Sequence, residues 1–177
     1  HPPVWVAARS PITYDYAIKN KCNVMSWPLT RPFSEAELYK KQLDDAIANH
    51  KSSFKPIFAM MRHAAVYTND SDKQKALNSI RTVLGQFENL FKNLGEVENG
   101  FTKQIPLNEL EGREQYDPDM LTKNLLFGTP EEIIEKLKLY QNLGVDEFIY
   151  YASMGLGHKE QKKSLKLFIE EVMPEFA

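Results

Sequence analysis

Apolar residues fall along this chain in two alternating arrangements. Short, nearly unbroken runs are followed by longer segments in which apolar positions recur every three or four residues. The runs are Val4–Ala8, Asn23–Trp27, Pro56–Met61 (continuing through Arg62 and His63 to Tyr67) and Val145–Ala152. Their β-branched and aromatic content predicts buried strands. The periodic segments predict helices. Tyr14, Ala17 and Ile18 lead to Lys19, while Leu38, Leu43, Ala46 and Ile47 lead to about His50. A long amphipathic helix, roughly Lys73 to Leu94, carries Ala76, Leu77, Ile80, Val83, Leu84, Phe87, Leu90, Phe91 and Leu94 on one face. Ile133, Ile134, Leu137 and Tyr140 mark another, ending at Leu143-Gly144, and Lys159–Val172 predicts the last, ended by Pro174.

Helix starts carry their own signals. Ser10 is a candidate N-cap before Pro11, with Asp15 in the first turn. Ser34 with Glu37, and Thr129 with Glu132, have the spacing of a capping box, and Asn69–Asp72 precedes the long helix. Between about residues 95 and 120 (Glu96–Asp119) lie two glycines, two prolines and many charges, which predict an irregular excursion.

Strand followed by helix, four times over, implies an α/β fold with parallel strands covered by helices. A doubly wound sheet and a barrel both satisfy that pattern. A closed eight-stranded barrel takes about 200 residues at least, so four units in 177 residues make half a barrel in a single domain. The chain opens His1-Pro2-Pro3, without methionine, and runs straight into a strand. The expectation is that something has been lost before it.

Charge narrows the function. With 22 basic and 24 acidic side chains interspersed, net −2, the chain lacks the field of a nucleic-acid binder. The single Cys22 excludes an internal disulfide framework and a zinc site built on cysteine pairs, and suggests a reducing, cytoplasmic setting. No apolar run has the length of a membrane span. His50 and His158 have no partners at metal-ligand spacing, so no metal is expected. No Ser/His/Asp set and no paired carboxylates stand out, and the catalytic residues stay unassigned.

The best candidate chemistry lies at the first strand-to-helix turn. A helix N-terminus presents free N–H groups and partial positive charge, which suit a phosphate. Ser10 and Thr13 can add hydroxyl donors there and Arg9 a full charge; the alternative is plain capping with no ligand. Ser153-Met154-Gly155-Leu156-Gly157 is a second candidate anion loop, or simply a turn. Arg62-His63 reads as a surface pair, or as a ligand-facing pair at the C-terminal rim of the sheet. Met60-Met61 and Phe87/Phe91 read as core.

Three stretches, taken in order and spacing, give the chain a resemblance: His1–Pro11, Phe127-Gly128-Thr129-Pro130-Glu131-Glu132 and Leu143-Gly144-Val145-Asp146-Glu147-Phe148, with Gly155–Pro174 as a closing helix. Together they resemble the C-terminal half of the bacterial luciferase-like, flavin-dependent monooxygenase family. The resemblance implies a TIM (β/α)₈ barrel of which this chain supplies strands five to eight. It also implies reduced FMN and O₂ used to oxidise a small organic substrate such as an aldehyde, alkane or amine-containing compound. By position, the flavin phosphate falls to Ser10, Thr13 and the backbone at Arg9. Arg9 stands where luciferases proper have an acidic residue, which argues against close luciferase chemistry. The family's N-terminal half supplies most of the shelter from water that this chemistry needs. The chain is therefore expected to be a fragment, inactive alone, whose open sheet edges and apolar face favour a homodimer or pairing with the missing half. The alternative is a non-catalytic α/β binding or assembly module on the same fold.

Overall fold

The computed structural model describes residues 2–93, 97–102, 106–110, 112–152 and 155–177. The chain divides into two compact units, His1–His63 with Glu135–Tyr151, and Ala64–Ile134 with Ala152–Ala177.

In the first unit, β1 (Trp5–Ala7), β2 (Asn23–Ser26) and β3 (Phe58–Val66, which runs on into the second unit) lie side by side and parallel, and β7 (Glu147–Ala152) also pairs with β3. The register sets Val6 beside Val24, Val24 beside Phe58 and Ser26 beside Met60. Helices α1 (Pro11–Lys19) and α2 (Phe33–His50) cover one face. Tyr14, Ala17, Ile18, Tyr39, Leu43 and Ala46 pack there against Val24, Phe58 and Met60, with Val6 and Phe148 alongside. Burial of this set is the main source of the unit's stability, at about 1.5–3 kcal/mol for each large side chain. The hydroxyl of Tyr14 is satisfied inside the core by Ser26 Oγ at 2.7 Å and Ala8 O at 3.2 Å, and burial raises its pKa far above the ordinary phenol value.

In the second unit the end of β3 pairs in parallel with β6 (Leu126–Gly128), in the register Ala64–Leu126, Ala65–Phe127 and Val66–Gly128. Helix α3 (Asp70–Asn93) packs Ala76, Leu77 and Ile80 with Leu121, Leu125 and Phe127. On α7 (His158–Leu167), Ser164 Oγ accepts the backbone N–H of Val66 at 2.7 Å. The last helix goes on through a π-helical turn, Phe168–Val172, into a 3₁₀ turn, Met173–Phe176, that contains Pro174.

The structure corrects several expectations. Among the described residues the main sheet has five strands rather than four, because Leu126–Gly128 is too short for its apolar content to stand out from the helix that follows. The run at Val4–Ala8 is a strand but not a buried one. Val4 is 48% and Trp5 40% exposed, since within the run only Val6 and Ala8 pack into the helix-covered core and no described residue covers the opposite side. The segment at about 95–120 contains ordered pieces too brief to show a period. These are a hairpin of β4 (Val97–Glu98) and β5 (Phe101–Thr102) and helices α4 (Leu107–Leu110) and α5 (Pro118–Asn124). Asn99 and Gly100 make the hairpin turn with φ of 51° and 82°, the positive angles such turns require. Leu94, Glu96 and the side chains of Leu90 and Phe91 lie outside the described residues.

Among the caps, Thr129 and Glu132 form the reciprocal box at the start of α6 (Pro130–Leu143), at 2.8 and 3.4 Å. Asn69 Oδ1 accepts the N–H of Asp72 at 3.0 Å. Ser34 does not cap. Pro32 takes the N-cap position with a φ of −63°, so α2 starts two residues earlier than a Ser34 cap would place it, and Ser34 falls inside the helix.

Candidate functional site

The turn after β1 carries Arg9, Ser10 and Thr13, all in the first unit. Ser10 has the extended backbone of an N-cap, φ −134° and ψ 153°, and its carbonyl accepts from the N–H groups of Thr13 and Tyr14. Its hydroxyl makes no cap bond but sits 3.0 Å from Thr13 Oγ1. Asp15 lies beyond the first turn and faces His50 of α2 at 2.5 Å. Arg9 is held over α2 by Nε, which donates to Tyr39 Oη at 3.1 Å, with the rest of its side chain exposed. Two hydroxyls and a guanidinium thus stand together at a helix start that no side chain caps.

A second group sits at the C-terminal ends of β2 and β7 and midway along β3. Side chains alternate across a strand, so Phe58, Met60 and Arg62 point toward the helices while Ala59, Met61 and His63 point the other way. Arg62 and His63 are both fully buried, which overturns their reading as a surface pair. Arg62 donates from Nε to Tyr140 Oη at 2.7 Å, from Nη1 to the carbonyls of Leu29 and Arg31 at 3.1 and 2.8 Å, and from Nη2 to that of Pro32 at 3.4 Å. It thereby pins the turn after β2, where Leu29 is held at a φ of 57° that non-glycine residues seldom adopt.

On the opposite face His63 stacks on Tyr151 at 4.7 Å between centroids, and Trp27 meets both rings edge-on, at 5.4 Å from His63 and 5.5 Å from Tyr151. Burial, and secondarily the charge of Arg62, lower the pKa of His63 to about 4, so its imidazole is neutral at pH 7. Among the described residues, neither of its ring nitrogens nor Trp27 Nε1 has a hydrogen-bond partner.

Sequence reasoning did not single out Trp27 or Tyr151. Their signal was present, in that Trp27 closes one apolar run and Tyr151 stands next to last in another, at the rim where α/β folds place ligands. The glycine-rich turn comes out differently. Gly155 has φ 90°, and a Cβ there would lie 3.1 Å from Ser79 O, so the turn and its close approach to α3 account for it. Ser153 and Met154 lie outside the described residues. Among those described, no cluster of His, Cys, Asp and Glu can hold a metal ion, and no helix is long and apolar enough to cross a membrane.

The family model for luciferase-like monooxygenases matches residues 1–147. The chain belongs to that family. It is 32% identical over 177 residues to the oxygenase component of a flavin-dependent trigonelline monooxygenase from Acinetobacter baylyi, a match covering all of this chain and 49% of that protein. Its fold is similar to that of the monooxygenase RslO1 from Streptomyces bottropensis, with a TM-score of 0.65 at 18% identity over 100% of this chain and 49% of that one. It is also similar to the oxygenating constituent of 3,6-diketocamphane monooxygenase from Pseudomonas putida in complex with FMN, with a TM-score of 0.64 at 13% identity over 98% and 48%. The chain thus spans about half the length of the relatives it matches.

Proposed function

We propose that this chain supplies strands five to eight of a (β/α)₈ barrel, and that the whole barrel is a flavin-dependent monooxygenase acting on a small organic substrate. Half-length coverage of relatives that are monooxygenases supports the first part. The observation that carries the second is the turn at Arg9–Thr13. It offers two neighbouring hydroxyls and an exposed cation at the positive end of a helix, a set that fits the phosphate of FMN. When bound, the cofactor in its reduced form supplies two-electron chemistry with O₂, one oxygen atom passing to the substrate and the other leaving as water.

In this reading Ser10, Thr13 and the backbone at Arg9 hold the phosphate. The sheet face opposite the helices is turned toward the reaction, and the remaining strands of the barrel, or a second copy of this chain, cover Val4, Trp5 and Ile57, all more than a third exposed. The 177 residues alone then catalyse nothing. Trigonelline, the compound named for the Acinetobacter relative, is the first substrate to try.

Titration of the full protein carrying these residues with FMN, followed by quenching of flavin fluorescence, tests the cofactor assignment. Replacing Ser10 and Thr13 together by alanine is expected to weaken binding at least tenfold, since a hydrogen bond to a charged group contributes about 1.5–3 kcal/mol. Unchanged affinity would remove these residues from the cofactor site.

A further inference from the structure

Three buried nitrogens on one face of the first unit's sheet lack partners among the described residues, Trp27 Nε1 and both ring nitrogens of His63. Burying such an atom unpaired costs stability, and folded proteins keep few of them without a reason. These three belong to a single aromatic group, with His63 fully covered and the rings of Trp27 and Tyr151 partly open to solvent. Directly behind it, Arg62 carries a buried positive charge, and its hydrogen bonds go to carbonyls and a phenol, with no carboxylate partner among the described residues.

We propose that Trp27, His63 and Tyr151 form a binding site for a flat aromatic ring that bears a carboxylate, a substrate class for the proposed monooxygenase and dependent on that reading for the word substrate. The ring packs against the indole and phenol, where offset and edge-on contacts are favourable. The carboxylate takes the indole N–H and the imidazole N–H, two donors that are otherwise buried unpaired. The field of Arg62 favours an anion there and opposes a cation. Both nitrogens are covered in this structure, so binding requires the Tyr151 ring to turn off His63.

The test is calorimetric titration of the full protein at pH 7 with three probes: benzoate, cyclohexanecarboxylate (the same acid without a flat ring) and benzyltrimethylammonium (a ring with the opposite charge). Benzoate is expected to bind at least tenfold more tightly than either of the others. Trp27→Phe and His63→Phe keep the rings and remove the donors, and each is expected to weaken benzoate binding five- to tenfold while the far-UV circular dichroism and melting curve show a folded protein. Benzoate binding no better than cyclohexanecarboxylate, or binding equally well to both variants, would overturn the site and leave ordered water as the partner of these nitrogens. A failure of the FMN assignment is seen separately, in the Ser10/Thr13 double variant, where benzoate binding is expected to persist.

Discussion

Arg62 and His63 are neighbours on one strand, both fully buried, and they have opposite fates. On the helix-covered face, every bond the Arg62 guanidinium makes is to a fixed carbonyl or to Tyr140. On the other face, His63 is packed by rings but has no hydrogen-bond partner among the described residues. A buried polar group whose partners come from its own fold holds structure together. One left unpaired beside the ends of neighbouring strands reduces stability and is available to a ligand. The difference between the two faces separates architecture from site in this unit.

Removing the paired residue should do the most damage. Arg62→Ala would leave three carbonyls and a phenol without their donor and release the turn that carries Trp27. A loss of roughly 3–5 kcal/mol is expected by chemical denaturation, with Arg62→Lys losing less because it keeps the charge but not the fork. A loss below about 1 kcal/mol would mean that water replaces the guanidinium and that the face is less closed than it looks.

Acid should expose the unpaired residue next. His63 has a pKa of about 4 in the folded state against the ordinary 6.5, so between those values the unfolded chain binds the extra proton. Stability is therefore complete above about pH 6.5 and falls as pH drops toward 4, by up to roughly 3 kcal/mol for this group. His63→Phe should remove that part of the pH dependence of the denaturation midpoint. At pH 7 the same variant is expected to be more stable than the parent by about 1–2 kcal/mol, because it deletes two unpaired nitrogens while keeping a ring. Destabilisation instead would show that the histidine has a structural partner.

The smallest effect lies at the helix starts, where paired and unpaired hydroxyls can be compared again. Thr129→Ala breaks a reciprocal cap and should cost about 1 kcal/mol, whereas Ser10→Ala, which removes no cap bond, should change the melting curve by only a few tenths.

Much of this architecture was legible in the sequence, because a run of Phe58, Ala59, Met60 and Met61 or a face of Ala76, Leu77 and Ile80 allows few alternatives. The Thr129–Glu132 cap was legible for the same reason: both partners lie within four residues. What escaped was set by residues distant in sequence. Whether Trp5 is buried depends on what covers it, and no local pattern encodes that. Arg62 and His63 read as surface because charge and imidazole usually are, and only the carbonyls of Leu29, Arg31 and Pro32 reveal why an arginine can be enclosed. Ser10 looked like a cap because its position is that of one, while its hydroxyl went to Thr13.

The account rests on the sheet face opposite the helices being a binding face, and the indole N–H of Trp27 reports on it most directly. In the ¹⁵N-labelled full protein, added benzoate is predicted to move that resonance downfield and slow its exchange with solvent, with the His63 ring resonances shifting at the same concentrations. Indole and imidazole signals that stay in place while benzoate is raised to millimolar levels would contradict it.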